Sequence, residues 1–359
     1  MKQTDKIKTI QELNYYARKP GERKIRSAKH VCRYEFGVRN SSEADITVFC
    51  ERAVFTLKRP PHKKTGDLWA FYSKEPQARI LDKTIQSNWD GLFNYSITYD
   101  RKTEESYHVF RPRLMKITEP KTKFYRPYPK MREFRGLLLN SHCTSPDDFR
   151  LILSAREQYI LELAKYMPVD LYTAAFKNQC REALKDMNGN IYVGTQPNMK
   201  NYMFYMAFEN NLCKDYISEK FWKILIADSL TIPIALGGLS IEEYSSIAPP
   251  NSFIHVRNFT SPAALAKHLK LVSENENAFN YYHEWRNNYK LDTNAQRSFH
   301  GYRSLGYYGD YMEYICDLAY EKPHKVWETF SKDYTPNDCI DISKPEDHCV
   351  YYNLTCTIE

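Results

Sequence analysis

The stretch MAFENNLCKDYISEKFW (206–222) passes from the end of one apolar segment to the start of another through a run of polar residues. The apolar segment that leads into it, NYMFYMAF (201–208), is continuous, which is typical of a strand in a parallel sheet covered on both faces. Ser218 is a suitable N-cap for a helix that runs from residue 219 to about 228. The order of strand, polar loop and capped helix predicts one unit of a doubly wound α/β fold.

Strands and helices continue to alternate on both sides of this stretch. The predicted strands are GLLLNSH (136–142), VDLYT (169–173), TIPIALG (231–237) and FIHVRNF (253–259). Helices are predicted at 151–166, where apolar residues have helical spacing, at 241–247, and after Ser261, which is followed by a proline in the expected order. This half of the chain therefore predicts a parallel sheet with helices on its faces.

The first half of the chain contains short strand-like segments between loops with proline, glycine or charge. These segments are HVCRYEF (30–36), ADITVF (44–49), DLWAFYS (67–73) and LFNYSITY (92–99). Residues 1–29 are polar and are predicted to be a loosely held lead-in. The segment 119–135 is basic and aromatic with three prolines, which is typical of a linker between domains. We therefore expect domains at 30–135 and 136–300, followed by a cysteine-rich tail at 301–359.

Composition narrows the class of protein without defining it. The chain has 359 residues, 42% of them apolar, which is enough for two domains with a core each. The net charge of +7 fits an anionic partner such as a phosphorylated small molecule, and it equally fits an ordinary solvated surface. We expect no nucleic-acid partner. The nine cysteines include no Cys-x-x-Cys pair, so their spacing does not predict a zinc site.

Cysteines and glycosylation sequons indicate an oxidising compartment. Three cysteines lie within the last 21 residues and are predicted to form a disulfide-bonded cluster; they are Cys339, Cys349 and Cys356. Four Asn-x-Ser/Thr sequons predict N-glycosylation, at Asn40, Asn94, Asn258 and Asn353. The N-terminus disagrees, because residues 1–40 are basic and the chain has no apolar run of about 18 residues that could serve as an anchor. Either the protein is cytosolic or the chain lacks its targeting segment.

The polar loop at 209–218 is the first candidate for a functional site. In a doubly wound sheet, ligands bind beyond the carboxyl ends of the strands, which is where this loop is predicted to lie. A helix beginning near Ser218 presents free N–H groups there, and Lys220 adds a positive charge, so the pair favours an anion. Glu219 suits the hydroxyls of a ribose or a sugar. The alternative is a capped helix with a solvated first turn and no ligand.

The segment MAFENNLCKDYISEKFWKILIADSLTIPIALGG (206–238) resembles the signature of the α-1,3-fucosyltransferases, glycosyltransferase family 10, which use GDP-fucose. The family pattern is an apolar strand, Phe-Glu-Asn, a polar loop, Asp-Tyr-x-Thr-Glu-Lys and a helix, with Ser218 here in place of the threonine. Further segments resemble the family in the same order, so that the resemblance covers about residues 30–340. They are DLWAFYSKEPQA, WDGLFNYSITYDRKTEESY, LNSHCTSP, SAREQYILELAKYMPVDLY and APPNSFIHVRNFTSPAALAKHL.

This resemblance implies a fold and a reaction. It implies two Rossmann-like domains of the GT-B type facing a central cleft, with the acceptor side at 30–135 and the GDP-fucose side at 136–300. The implied reaction is inverting transfer of fucose from GDP-fucose to an N-acetylglucosamine hydroxyl of a glycoprotein or glycolipid glycan. The implied general base is Glu75, although Pro76 replaces the serine that follows it in relatives. The alternative is that Glu75 is an ordinary loop carboxylate.

The resemblance also implies a set of donor-binding residues. Arg156 matches the arginine that faces the diphosphate, where its planar fork can bind two phosphate oxygens. Tyr216, Glu219 and Lys220 match donor-contacting positions. Glu209 and Asn210 are weaker candidates that could instead only shape the loop.

The chain has no Asp-x-Asp, the motif with which many sugar transferases hold a metal on the diphosphate. We therefore expect no required metal, with Mn²⁺ or Mg²⁺ at most stimulatory. Relatives are type II membrane proteins of the Golgi, with an N-terminal anchor. We therefore expect such an anchor, which this chain does not contain. The chain is then a truncated form, an incomplete prediction from its gene or a secreted form. The segment CDLA (316–319) keeps only Cys316 of a Cys-x-x-Cys found in relatives, so disulfide pairing cannot be carried over.

Two other functions stay open from the sequence. One is a metal-independent transferase of the same fold that uses another nucleotide sugar. The other is a glycan-binding relative without transfer activity. Nor does the sequence distinguish the N-glycan core from an antennal lactosamine as the acceptor.

Overall fold

The computed structural model describes residues 7–13, 20–27, 29–38, 44–76, 83–99, 106–108, 112, 114–140, 156–173, 188–195, 197–227, 229–291, 309–320, 326–334 and 339–340. The chain divides into two compact units, each built from distant parts of the sequence. Unit 1 combines residues 1–111 with 294–338, and unit 2 combines residues 112–293 with 339–359.

Helices are numbered along the chain. They are α1 (Glu51–Leu57), α2 (Lys83–Ser87), α3 (Arg156–Leu163), α4 (Glu219–Ile226), α5 (Ile241–Ile247), α6 (Pro262–Glu274), α7 (Glu276–Tyr281), α8 (Gly309–Leu318) and α9 (Phe330–Asp333). Short 3₁₀ turns occur at Pro129–Arg132, Met199–Asn201, Val256–Asn258 and Glu284–Asn287.

The sheet of unit 1 has the strand order β2-β3-β1-β4-β5-β6-β7. Its strands are β1 (Lys8–Leu13), β2 (Gly21–Arg26), β3 (Val31–Val38), β4 (Ile46–Cys50), β5 (Leu68–Tyr72), β6 (Tyr95–Thr98) and β7 (Ser106–His108). Strand β2 pairs antiparallel with β3, and the other described pairings are parallel. Because adjacent parallel strands end at the same edge, the segments that follow β4 and β5 are neighbours there.

Aromatic side chains dominate the core of unit 1. Phe49 and Phe71 on neighbouring strands pack against Trp89 and Phe93 from the loop before β6. Phe330 of α9 covers the same cluster, with ring centroids 4.8 Å from Phe71 and 5.1 Å from Phe93. Helix α8 packs in the same core and is joined to β3 by the disulfide Cys32–Cys316. Late residues of the chain thereby complete the first unit.

Two predicted boundaries are wrong as a consequence. The range 1–29, predicted as a polar lead-in, contains β1 and β2, and β1 lies inside the sheet between β3 and β4. The range 301–359, predicted as a separate tail, contributes α8 and α9 to unit 1. Strand β1 was missed because its buried positions include the polar residues Gln11 and Glu12, which hide the apolar pattern of a buried strand.

The sheet of unit 2 is parallel throughout its described pairings and has the order β11-β10-β9-β12-β13-β14. The chain of unit 2 forms β8 (Leu114–Lys116), β9 (Gly136–Leu139), β10 (Val169–Thr173), β11 (Ile191–Val193), β12 (Phe204–Phe208), β13 (Ile232–Leu236), β14 (Ile254–His255) and β15 (Tyr289–Leu291). Strands β8 and β15 form a separate antiparallel pair. The prediction of an α/β chain with two Rossmann-like units is confirmed, while the cleft between them stays a prediction.

Helix starts in unit 2 follow the capping signals of the sequence. The Ser218 side chain caps α4 by accepting from the Lys220 N–H, and Ser261 caps α6 by accepting from the Ala264 N–H. Ser240 and Glu243 form a reciprocal capping box at α5. The strand predicted at 253–259 is shorter than expected, since β14 is followed at once by a 3₁₀ turn.

The segment 119–135 is part of unit 2 and not a linker. Tyr125 and Met131 are buried in the core of that unit, and the division between the units falls before residue 112. The Tyr125 N–H donates to Asn280 Oδ1 at 2.7 Å, which fixes the segment to α7. Proline-rich composition indicated an irregular backbone correctly, but it carried no information on whether that backbone is buried.

Cysteine pairing also differs from the prediction. Cys339 is bonded to Cys213 in the loop after β12, not to the tail cysteines, and Cys349 and Cys356 lie outside the described residues. Cys50 is a buried free thiol. Burial is the main reason that its pKa is raised to about 12, so this thiol is protonated and unreactive.

Among the described helices, none combines the length and apolar character needed to cross a bilayer.

Candidate functional site

A cluster of charged side chains lies at the carboxyl edge of the sheet of unit 2. Strand β12 ends at Phe208, and the Glu209 N–H still donates to Leu236 O of β13 at 2.9 Å. From there the chain makes a loop that ends at Ser218, the cap of α4. The loop, the first turn of α4, the start of α3 and the residue after β9 together form what we call the donor cluster, whose members are Asn140, Arg156, Glu209, Asn210, Tyr216, Ser218, Glu219 and Lys220.

Glu209 holds the two ends of the loop together. Its side chain is fully buried and accepts from the Ser218 N–H at 2.8 Å and from Ser218 Oγ at 2.6 Å. Burial raises the pKa of Glu209, because a carboxylate loses its hydration there, while Lys220 and the Ser218 donors act in the opposite direction. Of the two roles that the sequence left open for Glu209, this geometry favours the structural one, in which Glu209 shapes the loop and does not itself contact a ligand.

Lys220 is the cation of the cluster with access to solvent. Its Nζ lies 3.0 Å from Ser218 Oγ, 3.4 Å from Glu209 Oε2 and 3.5 Å from Glu219 Oε1. The side chain is 18% exposed, whereas that of Glu209 is 0% exposed. Burial lowers the pKa of Lys220, but the negative charges of Glu219 and Glu209 raise it by more. The net shift of the pKa is therefore upward, and the ammonium stays charged. Lys220 therefore presents a fixed positive charge at the N-terminus of α4.

Glu219 is ionised beside that ammonium. Burial raises its pKa, but Lys220 and Lys223 lower it more, and the net shift is downward. An ionised carboxylate only accepts hydrogen bonds, so Glu219 suits the hydroxyl groups of a ligand. The pair offers one cationic and one anionic group side by side on the first turn of a single helix.

Arg156 is buried at the first position of α3 with its guanidinium held on several sides. Its Nη2 donates to Asn140 Oδ1 at 2.5 Å, its Nη1 to Phe208 O at 3.3 Å and its Nε to Glu157 Oε1 at 3.2 Å. These bonds fix the plane of the guanidinium at the ends of β9 and β12. Arg156 and Lys220 are connected through the end of β12, because Arg156 bonds to Phe208 O and Lys220 contacts the side chain of the next residue, Glu209.

Tyr216 and Asn210 form a separate contact inside the loop. The Tyr216 hydroxyl donates to Asn210 Oδ1 at 3.1 Å, and the tyrosine is otherwise buried. Asp215, just before it, has a φ of 61°, a left-handed conformation that aspartate tolerates better than most residues. The structure thus brings all six sequence-predicted donor residues into one loop-and-helix cluster, and their roles in binding stay predictions.

Two residues that shape the site, Asn140 and Gly238, were not predicted from the sequence. Asn140 directly follows β9 and its Nδ2 also donates to Glu157 Oε1 at 2.9 Å, so it holds both Arg156 and its neighbour. Gly238 lets β13 approach the loop, because a Cβ there would lie 2.4 Å from Leu212 C. The rule that selected the 209–218 loop, polar residues directly after a buried strand, would have found Asn140 as well.

Glu75 lies in unit 1, in the segment that follows β5. Its N–H donates to Ser73 Oγ at 3.1 Å, and its carbonyl oxygen accepts from the Tyr334 hydroxyl at 3.0 Å. The residue is partly exposed. It stands at the carboxyl edge of its sheet, the position at which the loops of a doubly wound unit carry functional groups.

The predicted glycosylation sites differ in their surroundings. Asn258 is exposed in the 3₁₀ turn after β14. Asn94 is held instead by its carboxamide oxygen, which accepts from the Trp69 N–H and from Lys63 Nζ, each at 3.0 Å. Asn94 is also only half-exposed, whereas Asn258 is exposed. Asn40 and Asn353 lie outside the described residues.

No group of three or more His, Cys, Asp or Glu side chains that could hold a metal ion is found among the residues that the structure describes. The expectation that no metal is required stays a prediction.

Two α/β units on mainly parallel sheets, one with a paired cation and carboxylate at its carboxyl edge, define a Rossmann-type protein. The family described as "Glycosyltransferase family 10 (fucosyltransferase) C-term" matches residues 136–323, more than half of the chain. The chain belongs to this family.

Similar proteins are fucosyltransferases by name. Glycoprotein 3-alpha-L-fucosyltransferase A of Drosophila melanogaster is 37% identical over 133 residues, which are 37% of this chain and 25% of that protein. The human 4-galactosyl-N-acetylglucosaminide 3-alpha-L-fucosyltransferase 9 is 33% identical over 234 residues, which are 65% of this chain and 56% of that protein. The chain thus spans little more than half the length of these relatives, or less.

Solved structures resemble the chain only loosely. The crystal structure of TarM matches with a TM-score of 0.41 and 11% sequence identity. The match covers 67% of this chain and 50% of the TarM chain. A glycosyltransferase from Rickettsia africae has a TM-score of 0.40 and 12% identity, and covers 78% of each chain.

Proposed function

We propose that the protein is an inverting α-1,3-fucosyltransferase that moves L-fucose from GDP-fucose to an N-acetylglucosamine hydroxyl of a glycoprotein or glycolipid glycan. The observation that carries this proposal is the donor cluster, in which Lys220, Glu219 and Arg156 meet at the carboxyl edge of a parallel sheet. Membership of the fucosyltransferase family supports it, as do relatives named for 3-alpha-L-fucosyl transfer.

On the donor side, the cluster supplies the groups that a nucleotide diphosphate sugar needs. Lys220 and the N–H groups of the first turn of α4 attract the diphosphate and stabilise the charge that it gains on leaving. Arg156, with its plane fixed by Asn140, adds a second cation and a bidentate geometry. Glu219 accepts hydrogen bonds from ribose or fucose hydroxyls. These cations do the work for which other transferases use a metal, so we propose transfer without one.

On the acceptor side, Glu75 is the proposed general base. It takes the proton of the acceptor hydroxyl while that oxygen forms a bond to the anomeric carbon of fucose. The bond between that carbon and the phosphate oxygen breaks, its electron pair stays on the phosphate, and GDP leaves. A single displacement of this kind inverts the anomeric configuration.

We further propose the Golgi lumen as the compartment. The disulfides Cys32–Cys316 and Cys213–Cys339 support an oxidising environment, and the exposed sequon at Asn258 is compatible with it. Attachment to the Golgi membrane through an N-terminal anchor is part of the same proposal and rests on the family resemblance.

Calorimetry with GDP and UDP, followed by transfer assays with the matching sugars, tests the donor. We expect GDP to bind at least tenfold more tightly than UDP, and GDP-fucose alone to support transfer. Preference for UDP would favour the transferase of another nucleotide sugar. Tight GDP binding without a single turnover on a panel of glycans would favour a glycan-binding relative that no longer transfers.

A further inference from the structure

The segment after β5 is fixed by side chains from other parts of unit 1. Ser73, the first residue beyond the strand, is buried, and its Oγ accepts from the Glu75 N–H at 3.1 Å. The Ser73 hydroxyl donates its proton to Glu51 Oε2 at the start of α1. The same oxygen lies 3.1 Å from Glu75 O, so Ser73 contacts both polar groups of the Glu75 backbone while a charge-assisted bond to Glu51 holds it in place.

Tyr334 fixes the other side of the same peptide unit. Its hydroxyl donates to Glu75 O at 3.0 Å, and its ring is fully buried against Phe71 and Phe330, with centroids 5.0 Å and 5.8 Å away. Gln86 Nε2 donates to Tyr334 O at 2.8 Å and anchors the backbone of the tyrosine. Burial, followed by nearby Tyr99 and Glu51, raises the pKa of Tyr334 well above its ordinary value, so the hydroxyl keeps its proton.

The N–H and the carbonyl of Glu75 are therefore held by two buried side chains, Ser73 just after β5 and Tyr334 just after α9, and Ser73 is in turn bonded to Glu51 of α1. A glutamate in a solvated loop does not need these side-chain bonds, because water can satisfy the hydrogen bonds of its backbone N–H and carbonyl. A general base does need it, because proton transfer requires the carboxylate to stay within a fraction of an ångström of its working position.

We propose that Ser73, Tyr334 and Glu51 are positioning residues, which hold the Glu75 backbone so that its carboxylate meets the acceptor hydroxyl. This inference rests on the proposed role of Glu75 as the base. The alternative is that the same bonds only stabilise the fold of unit 1.

The two variants Tyr334→Phe and Ser73→Ala each remove one hydroxyl and leave the shape of the side chain almost unchanged. The matched control is Tyr320→Phe, which removes a tyrosine hydroxyl that donates to Val31 O at 3.1 Å elsewhere in unit 1. Each variant is made in the natural sequence and in a Glu75→Gln background. Single-turnover transfer rate, KM for the acceptor, GDP affinity and melting temperature are measured for all of them.

If the residues act through Glu75, Tyr334→Phe and Ser73→Ala each lower the transfer rate by about tenfold or more, since a displacement of about 1 Å can cost up to 100-fold. The acceptor KM and GDP affinity stay within about twofold, and Tyr320→Phe keeps its rate. In the Glu75→Gln background the same two changes have no further effect on rate, because no base is left to position.

Equal losses of rate in both backgrounds would show a structural role and overturn the inference, as would unchanged rates in the natural background. A Glu75→Gln variant with normal turnover would instead refute the proposed base, and the inference with it. The two failures are distinct, because the first leaves Glu75→Gln slow.

Discussion

Lys220→Met tests the donor cluster through both binding and stability. The change removes an ammonium that lies 3.4 Å from the buried Glu209 and 3.5 Å from Glu219. A charge-assisted hydrogen bond to a phosphate contributes about 1.5–3 kcal/mol, so we expect GDP affinity to fall by roughly 10- to 150-fold. Lys214→Met is the control, because Lys214 is exposed in the same loop and the change in net charge is identical.

The size of the effect of Lys220→Met on stability depends on pH. The pKa of Glu209 is raised in the folded state, so its ionisation opposes folding, and the stability that it contributes is lost as pH rises through that raised pKa. Without Lys220 the buried carboxylate keeps only its Ser218 donors. We expect the free energy of unfolding of Lys220→Met to be lower than that of the natural protein by about 2–3 kcal/mol at pH 8, and by less at pH 5, where Glu209 can take up a proton.

Urea unfolding at both pH values, beside GDP calorimetry at pH 7, measures these effects. Adding Glu209→Gln to Lys220→Met should restore part of the lost stability at pH 8 without restoring GDP affinity, because it removes the uncompensated charge but supplies no cation. If Lys220→Met and Lys214→Met bind GDP equally well and have the same stability at both pH values, the account of the donor cluster is wrong.

The other predictions concern the diphosphate, metal, compartment and loop. Arg156→Ala should weaken GDP binding at least tenfold and Arg156→Lys should recover only part of it, because an ammonium cannot bridge two oxygens; calorimetry showing full recovery would exclude a bidentate contact. Transfer should persist in excess EDTA, and complete loss that manganese restores would reveal a metal site. Expressed with a secretion signal, the chain should carry a glycan at Asn258 more often than at Asn94, because Asn258 is exposed and Asn94 is half-buried beside β5, and glycopeptide mass spectrometry showing the reverse would contradict this. Cys339→Ser should lower GDP affinity several-fold, because the bond to Cys213 restrains the donor loop; an unchanged affinity would mean that the loop keeps its shape without it.

The strands and helices of unit 2 could be predicted from the sequence because the patterns that indicate them involve residues close together in the chain. Strand β12 is a continuous apolar run, and Ser218, Ser240 and Ser261 lie where helix caps should. Glu219 and Lys220 follow from the same signals, since the rule for doubly wound sheets assigns function to the segment after a buried strand, whereas Arg156 came only from the resemblance to the fucosyltransferases. The resemblance to the fucosyltransferases then added the roles that spacing alone left open.

Contacts between residues far apart in the sequence could not be predicted from it. Strand β1 is stabilised inside its sheet by contacts to β3 that no local pattern reveals; Tyr34 donates to the buried Glu12, and Gln11 donates to Glu35 at 3.3 Å. The return of the chain through α8 and α9 to unit 1 depends on residues more than 200 positions apart, such as Gln86 and Tyr334. The partner of Cys339 was unpredictable for the same reason, since spacing does not determine connectivity.

The most direct test of the account is the transfer reaction itself. The protein is incubated with GDP-fucose and N-acetylglucosamine-containing glycans, and the product is examined by mass spectrometry and NMR. We expect one added fucose, joined through its anomeric carbon to the 3-hydroxyl of N-acetylglucosamine with inversion at that carbon, and much slower formation of this product by Glu75→Gln and Lys220→Met. Product with retained configuration, or transfer from another nucleotide sugar but not from GDP-fucose, would contradict it.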